Sequence, residues 1–302
     1  MRTDTVDERR VLVRGLSTSY LEAGVGPVLL LVHGNLTTFR SWRRIVAQFQ
    51  STHRVLAVSL PGYGGTSPQP DVELDSMVSF LADFLDVLSI DEAIVLGHSS
   101  GGLIAATFAL RNPGRVTRLV LADSAGLGRA VTPFAVAAAL APTWVENVVI
   151  SALLLPGGNI ALALLGALQL RRPWRVSLRE SVEQSLALQA RTVLFTSYRT
   201  VRMAIGPAGQ RPRYNIVDRL GELRMPTLVI WGVTDDVFPV WQAVRAVRKL
   251  PRGRLALLIG GGHIGFLDSH VEFIDFLSPF IRDELDVPPN EGDDDRVTER
   301  GW

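Results

Sequence analysis

The sequence predicts an α/β protein with a mostly parallel, doubly wound sheet of about eight strands and an inserted α-helical cap. Apolar runs of strand length alternate with amphipathic helical patterns up to Ala122, and the alternation resumes at Pro226. The stretch between them contains helical patterns and no convincing strand. We therefore expect an α/β core of residues 1–125 and 216–283 and a cap of residues 126–215.

The first half of the chain supplies most of the predicted sheet. Two runs on either side of Gly15, within residues 11–23, indicate an antiparallel strand pair at the sheet edge. Four apolar runs predict buried strands, and three stretches with helical spacing predict helices. The strands are expected at residues 27–32, 55–58, 93–96 and 116–122, and the helices at residues 39–49, 74–88 and 102–110.

The second half completes the sheet. Residues 226–231 and 254–259 predict strands, and residues 240–249 and 266–283 predict helices. The last stretch, residues 284–302, is acidic and contains two adjacent prolines. This composition is typical of a disordered, solvating tail.

The predicted cap contains an unusually apolar segment. Asn147 to Leu170 are 24 residues without a charge, which approaches the length of a membrane span. Pro156 to Asn159 interrupt the segment midway, so we expect two short apolar helices. We expect them to line an acyl pocket, in which a charge at Leu164 would disturb binding. A face that touches a membrane surface is the open alternative.

Composition excludes several classes of function. The formal net charge is +1, which implies no nucleic-acid partner. The absence of cysteine removes disulfides, thiol catalysis and thiolate metal sites. The first ten residues show no apolar signal core, so we expect a cytoplasmic protein. No cofactor or metal site is expected, and the oligomeric state is left open.

The chemistry is centred on Gly97-His98-Ser99-Ser100-Gly101, a G-x-S-x-G motif. A buried strand precedes this motif and a small-residue helix follows it, as a nucleophile elbow requires. Gly97 and Gly101 lack the Cβ atoms that would clash across such a sharp turn. The positive end of the following helix favours a developing oxyanion beside Ser99.

Three more polar sites follow predicted strands. Asp235 comes just after the strand at 226–231, and His263 comes after the strand at 254–259. His33-Gly34-Asn35 follows an earlier strand. Loops at the carboxyl ends of parallel strands converge on one crevice, so Ser99, Asp235 and His263 are expected to meet there.

At these residues the sequence closely resembles the α/β-hydrolase family, over roughly residues 10–125 and 216–283. The resemblance implies Ser99 as nucleophile, His263 as base and Asp235 as the acid that orients it. It also implies the backbone N–H groups of Asn35 and Ser100 as the oxyanion hole. The matching motifs are His33-Gly34, Pro61-Gly62-Tyr63-Gly64, Gly97 to Gly102, Trp231-Gly232-x-x-Asp235-x-x-x-Pro239 and Gly262-His263.

Neighbouring candidates compete for these roles. Asp236 is adjacent to Asp235, but the family spacing favours Asp235. Asp123 stands where some family members place their acid, and it remains an alternative. His33 is expected to brace a loop and His98 to shape the elbow. We expect the two remaining histidines, His53 and His270, at the surface.

A serine at position 99 restricts the class of reaction that the site can catalyse. Haloalkane dehalogenases and epoxide hydrolases share features of this pattern but use an aspartate nucleophile, whereas this chain has Ser99. A serine suits acyl transfer, so we predict hydrolysis of a small to medium, largely apolar carboxylic ester. A C–C hydrolase of ring-cleavage diketones is an alternative, since Ala125-Gly126-Leu127-Gly128 resembles that group. A cofactor-free perhydrolase and a non-catalytic receptor for a small ligand are further alternatives.

One basic cluster stays ambiguous at the level of sequence. Arg171, Arg172 and Arg175 directly follow the uncharged segment of the cap and surround Trp174. They are interpreted as a solvated helix end, as contacts for a lipid headgroup, or as a clamp for a substrate carboxylate.

Overall fold

The computed structural model describes residues 7–284. They form an eight-stranded, mostly parallel sheet flanked by helices, which confirms the predicted fold class. The strands are β1 (Asp7–Val13), β2 (Leu16–Ala23), β3 (Val28–Val32), β4 (Arg54–Val58), β5 (Ala93–His98), β6 (Val116–Ala122), β7 (Ile205–Gly206), β8 (Gly209–Gln210), β9 (Thr227–Gly232) and β10 (Gly253–Leu258). The main sheet has the order β1-β2-β4-β3-β5-β6-β9-β10, with β7 and β8 in a separate hairpin.

The direction of the strands follows from their connections. β1 and β2 are joined by a short turn and pair antiparallel, and β2 also pairs antiparallel with β4. All other pairs of the main sheet are parallel. Parallel neighbours need a crossover, and helices supply it on both faces. The carboxyl ends of β3, β5, β6, β9 and β10 therefore lie along one edge.

Two hydrophobic cores cover the two faces of the sheet. Alternate residues of β3 face opposite sides: Leu30 and Val32 belong to one core, and Leu29 and Leu31 to the other. The helices are α1 (Arg43–Phe49), α2 (Leu74–Val87), α3 (Ser100–Arg111), α4 (Pro133–Leu140), α5 (Thr143–Leu153), α6 (Gly158–Leu168), α7 (Leu178–Leu188), α8 (Arg191–Ala204), α9 (Trp241–Val247), α10 (Gly265–Asp268) and α11 (His270–Ile281). Helices α2, α3 and α9 pack on the first face, and α1, α10 and α11 pack on the second.

Five helices, α4 to α8, lie between β6 and β9 in the chain. The uncharged segment folds as α5 and α6, with the turn at Pro156 and Gly157 between them. The expectation that this region has no strand is wrong in one detail, because it contains the β7–β8 hairpin. Strands of two residues are too short to show a periodic pattern.

Two further sequence expectations need comment. The helix predicted at residues 266–283 is interrupted at Ser269, which has non-helical backbone angles and separates α10 from α11. The predicted disordered tail, residues 284–302, lies outside the described residues apart from Glu284.

Within residues 7–284, no single helix is long and apolar enough to cross a membrane. One bent pair passes by length and composition alone, namely α4 with α5, and the two helices turn through 106°.

Candidate active site

Ser99 occupies a strained turn between β5 and α3. Its backbone has φ 53° and ψ −123°, outside the regions that most side chains adopt. The turn is held by hydrogen bonds from the Ser99 N–H to the Ala122 carbonyl, and from the Ala125 N–H to the Ser99 carbonyl, both 3.0 Å long. A Cβ on Gly97 would collide with the Gly101 backbone, so the elbow requires a small residue there.

Ser99 is joined to His263 and Asp235 by a continuous hydrogen-bonded chain. The Ser99 Oγ lies 3.1 Å from the His263 Nε2, and the His263 Nδ1 lies 3.0 Å from the Asp235 Oδ2. The second oxygen, Asp235 Oδ1, accepts from the backbone N–H groups of Val237 at 2.7 Å and Phe238 at 3.0 Å. Because the carboxylate can only accept, His263 carries its proton on Nδ1 and presents Nε2 to the serine.

The geometry separates the three candidate carboxylates. The Asp236 side chain is exposed, whereas that of Asp235 is fully buried against His263. The Asp123 Oδ1 accepts from the Gly232 N–H at 2.8 Å, and no described contact joins this side chain to His263. Asp123 thus holds the end of β9, from which Asp235 follows.

Two buried carboxylates, Asp123 and Asp268, brace the loops around the hydrogen-bonded side chains of Ser99, His263 and Asp235. Burial, and secondarily the charge of Asp235, raises the pKa of Asp123 well above its usual range. Asp268 Oδ2 accepts from the backbone N–H of Arg171 at 2.8 Å and of Gly262 at 3.3 Å. It therefore ties the cap to the loop that carries His263. No motif in the sequence marks Asp268 for this role.

The loop at Asn35 faces the turn at Ser99. Gly34 has no room for a side chain, since an added Cβ would lie 2.8 Å from the Ser99 Cβ. Within the described residues, no protein acceptor is recorded for the backbone N–H of Asn35 or of Ser100. These are the two donors that the family resemblance implies, and both are free to bind an oxyanion.

The Asn35 side chain is fixed from two directions. Its Oδ1 accepts from the Tyr63 hydroxyl at 2.6 Å, and its Nδ2 donates to the Ser197 carbonyl at 3.1 Å. Tyr63 lies in the Pro61–Gly64 loop and Ser197 on α8 of the cap. Sequence reasoning missed both roles. The family motif at Tyr63 was a usable signal, whereas nothing in the sequence of α8 marks Ser197.

His33 and His98 are buried and brace the site. The His33 Nδ1 donates to the Gly34 carbonyl at 2.8 Å, and its Nε2 accepts from the Leu60 N–H at 3.1 Å. The His98 Nε2 donates to the backbone carbonyl of His263 at 2.8 Å. Burial lowers the pKa of His33 to about 4 and that of His98 to about 3, so both rings are neutral at neutral pH.

The other two histidines, His53 and His270, take no part in the hydrogen bonds that join Ser99 to Asp235. The surface position expected for His53 is wrong: the ring is buried beside Phe49 and its Nδ1 is 2.9 Å from the Thr52 Oγ1. Its backbone N–H bonds back to the Phe49 carbonyl, which folds the residue under the end of α1. His270 is half-buried at the start of α11.

Two apolar cavities are lined in part by chain neighbours of Asn35, Ser99 and His263. The larger measures about 320 Å³ and the smaller about 60 Å³. Ser99 and His263 line neither cavity themselves. The larger is bounded in part by Leu36, Leu162, Leu188, Leu194 and Ile264, of which Leu36 and Ile264 are chain neighbours of Asn35 and His263. The smaller is bounded in part by Gly34, Tyr63, Ser100, Leu103 and Ala125.

Leu164 does not line either cavity, contrary to the expectation that a charge at this position would enter the pocket. Leu162 is 4% exposed and lines the larger cavity, whereas Leu164 is 63% exposed and lines neither. Positions two apart on a helix point about 200° apart, which places these leucines on opposite sides of α6.

The basic cluster after α6 holds the cap in place. The Arg171 guanidinium donates to the Thr234 carbonyl at 3.0 Å, next to Asp235. Arg172 pairs with Glu272 of α11 at 3.1 Å. Both guanidinium groups are therefore engaged by acceptors of the protein itself. Across residues 7–284, no cluster of three or more potential ligands is arranged to hold a metal ion.

Together, the parallel sheet, the strained serine turn and the loops at its carboxyl edge define a hydrolase of the α/β class. The family model described as "alpha/beta hydrolase fold" matches residues 27–270. The chain belongs to this family, as its resemblance implied.

The relatives found by comparison have different activities. An uncharacterised protein of Mycobacterium tuberculosis is 29% identical over 288 residues, which cover 89% of this chain and 79% of that protein. The 2-hydroxymuconate semialdehyde hydrolase of Pseudomonas sp. is 27% identical over 288 residues, 90% of this chain and 93% of that enzyme. The crystal structure of a bacterial membrane phospholipase A matches with a TM-score of 0.76 and 24% identity, covering 92% of this chain and 86% of that one.

Proposed function

We propose that the protein is a serine hydrolase that cleaves a small to medium, largely apolar carboxylic ester through an acyl-enzyme. The observation that carries the proposal is the hydrogen-bonded chain from the Ser99 Oγ through His263 to the buried Asp235 carboxylate. A neutral imidazole held in this tautomer can accept the serine proton, and the carboxylate stabilises the imidazolium that results.

In the first half of the reaction, the Ser99 Oγ attacks the ester carbonyl carbon while its proton moves to the His263 Nε2. The negative charge that develops on the carbonyl oxygen is bound by the backbone N–H groups of Asn35 and Ser100. When the tetrahedral intermediate collapses, the bond to the alcohol breaks and the alcohol oxygen takes the proton from His263. The acyl group remains on Ser99.

In the second half, a water molecule transfers a proton to the His263 Nε2 and attacks the acyl carbon. The same two N–H groups bind the second oxyanion. Collapse releases the carboxylic acid and returns the proton to the Ser99 Oγ. The complete reaction consumes one water and one ester, and it releases one acid and one alcohol.

The two cavities support an apolar substrate. Most of the lining surface of both cavities is apolar and offers dispersion contacts, with leucine, isoleucine and alanine as the main apolar residues. The larger cavity also has polar and charged side chains in its lining. The larger cavity is lined by Leu36, which follows Asn35 in the chain, so it suits an acyl chain. Its arginines already have carboxylate partners. Arg40 pairs with Glu8, Arg43 and Arg179 with Glu183, and Arg44 with Glu180.

A C–C hydrolase of ring-cleavage diketones is the second candidate, favoured by the Pseudomonas relative that matches over most of both chains. Such a reaction uses the same nucleophile and base. However, a muconate-type substrate carries a carboxylate, and the smaller cavity is lined by no basic residue. A neutral ester therefore fits the described lining better. Parallel assays with p-nitrophenyl esters and 2-hydroxymuconate semialdehyde distinguish the two.

The acyl pocket is tested by a matched pair on α6. With wild-type protein, kcat/KM on p-nitrophenyl esters should rise by about fourfold for each added methylene until the cavity is full. Leu162→Phe reduces the larger cavity and should move the optimum to shorter chains. Leu164→Phe, on the outer side of the same helix, should leave the profile unchanged.

Three results would contradict this assignment of the pocket. They are a flat chain-length profile in the wild-type protein, an equal response of both variants, and faster turnover of the semialdehyde than of every ester. The last result would establish the C–C hydrolase instead.

A further inference from the structure

The outward side of the cap is apolar over two consecutive helices. Trp144 and Val148 on α5, Leu155 in the turn, and Ile160, Leu164 and Leu168 on α6 are 60–70% exposed. We call these six residues the outer cap face. Of the 22 large hydrophobic residues exposed among the described ones, 14 belong to the stretch from Phe134 to Leu186. Exposed patches of this kind mark a binding surface.

The helical spacing makes the outer cap face continuous. Residues 160, 164 and 168 are four apart and form one stripe along α6, and residues 144 and 148 form the same pattern on α5. The two helices pack against each other. No charged residue occurs between Asn147 and Leu170.

The charge of the cap complements an anionic surface. Residues 126–215 contain ten arginines and three glutamates, a net charge of +7, although the whole chain has a net charge of only +1. Two of the three glutamates, Glu180 and Glu183, already pair with arginines of α1. Trp174 is 76% exposed beside Arg175, a combination typical of the boundary between lipid and water.

Helix α6 separates the outer cap face from the larger cavity. Leu162 and Gly166 line that cavity, while the stripe of Ile160, Leu164 and Leu168 faces outward. A ligand that leaves an apolar phase at the outer cap face would thus need to pass only one helix to reach the larger cavity.

We propose that the outer cap face docks on a bilayer that contains anionic phospholipid, and that the enzyme takes a lipid-soluble ester from this bilayer. The proposal rests on the proposed ester hydrolysis for its substrate but not for its docking surface. Apolar side chains enter the headgroup boundary, and the positive charge of the cap, which includes the exposed Arg175, is attracted by the negative surface potential.

A second copy of the chain is a less suitable occupant. Protein interfaces carry about one hydrogen bond per 100–200 Å², and the six side chains of the outer cap face offer a single donor, the indole N–H of Trp144. Two caps facing each other would also bring together two segments that each have a positive net charge. An anionic bilayer requires no hydrogen bonds from these apolar side chains, and its charge is opposite to that of the cap.

The test is flotation of the full chain with vesicles. Wild-type protein should float with vesicles of phosphatidylcholine and phosphatidylglycerol in equal parts, bind weakly to pure phosphatidylcholine, and detach as salt is added. The triple variant Ile160→Ser, Leu164→Ser, Leu168→Ser should lose about tenfold or more in the partition coefficient. These side chains are exposed and line neither cavity, so hydrolysis of a soluble short-chain ester should be unchanged.

Two matched controls test whether binding depends on the cap itself, rather than on exposed apolar residues or on positive charge anywhere in the protein. Leu12→Ser, Val25→Ser, Val271→Ser removes three equally exposed apolar side chains from the core and should float like wild type. Arg175→Gln should weaken flotation severalfold. Arg224→Gln, at the amino end of β9 on the opposite edge of the sheet, should not.

The outcomes distinguish failure of the docking surface from failure of the activity. Ser99→Ala should float like wild type, because docking needs no chemistry. If wild-type protein hydrolyses soluble esters but does not float, the docking proposal is overturned and the hydrolase proposal stands. The docking proposal is also overturned if the triple variant floats at the wild-type level. It is overturned as well if sedimentation velocity shows a wild-type dimer and a monomeric triple variant, and neither binds vesicles.

Discussion

The crevice at the carboxyl edge of the sheet and the cap above it are built on opposite principles. In the crevice, both oxygens of Asp235 and both ring nitrogens of His263 have partners, and the surrounding carboxylates and histidines are buried. In the cap, α5 and α6 present large apolar side chains to solvent. Hydrogen bonds are directional and dispersion is not. The crevice can therefore impose one reaction geometry, whereas the cap, under the proposed function, would select only for apolar character and size.

The largest effect expected in the crevice is that of Ser99→Ala. It removes the attacking oxygen and should lower kcat for p-nitrophenyl ester hydrolysis by about five orders of magnitude. Thermal unfolding should show an intact fold, since the substitution deletes one partly engaged hydroxyl. Unchanged hydrolysis by the purified variant would assign the chemistry to another residue.

The second effect separates two adjacent carboxylates. Asp235→Asn should lower kcat by about 10⁴, because an amide at this position favours the wrong tautomer of His263. Asp236→Asn changes an exposed side chain and should have less than about a twofold effect. Steady-state kinetics of both purified variants test this. A larger loss in Asp236→Asn would show that the hydrogen bond between Asp235 and His263 is not the functional one.

The third effect concerns stability in acid. Burial lowers the pKa of His33 to about 4 in the folded protein, so between pH 6.5 and 4 the unfolded chain binds a proton that the folded chain cannot. The free energy of unfolding therefore falls as the pH falls through this window. His33→Gln should reduce that loss by up to about 3 kcal/mol.

Thermal or denaturant unfolding at several pH values measures the effect of His33→Gln. A variant with the same acid sensitivity as wild type would show that the His33 ring is charged, or solvated, in the folded state. Wild-type protein and the outer cap variant Leu164→Ser should share one pH profile, since Leu164 does not titrate.

The smallest effect tests how the loop at Asn35 is supported. Tyr63→Phe removes the hydrogen bond to the Asn35 Oδ1 and should lower kcat by about tenfold with little change in KM. Tyr198→Phe removes a comparable hydrogen bond within the cap, from its hydroxyl to the Ala141 carbonyl at 3.2 Å, and serves as the control. If KM alone rises in Tyr63→Phe, Tyr63 acts on substrate binding rather than on the loop.

The core was largely predictable from sequence because its elements are locally encoded. Buried parallel strands are continuous apolar runs, and the elbow needs small residues on both sides of Ser99. The order of the strands in the sheet then brings Ser99, Asp235 and His263 together, although 136 residues separate the first two. Asp268 escaped notice, because the sequence does not show that the fold will bury a single acidic residue at the end of the short helix α10.

The cap was predictable only as a set of helices. Both sides of α6 are apolar, so no amphipathic pattern distinguishes the cavity side at Leu162 from the exposed side at Leu164. The position chosen from sequence fell on the wrong side for this reason. The roles of Arg171 and Arg172 were also hidden, because their partners Thr234 and Glu272 are distant in the chain.

The measurement that tests the account most directly is the labelling of Ser99 by a fluorophosphonate. The reagent phosphonylates only a serine that a neighbouring base activates, and its product mimics the tetrahedral intermediate. Intact-mass analysis of wild-type protein should show one adduct per chain, located on Ser99 by peptide mapping, and none in Ser99→Ala. An unlabelled wild-type protein, or labelling that persists in Ser99→Ala, would contradict the assignment of Ser99 as the nucleophile.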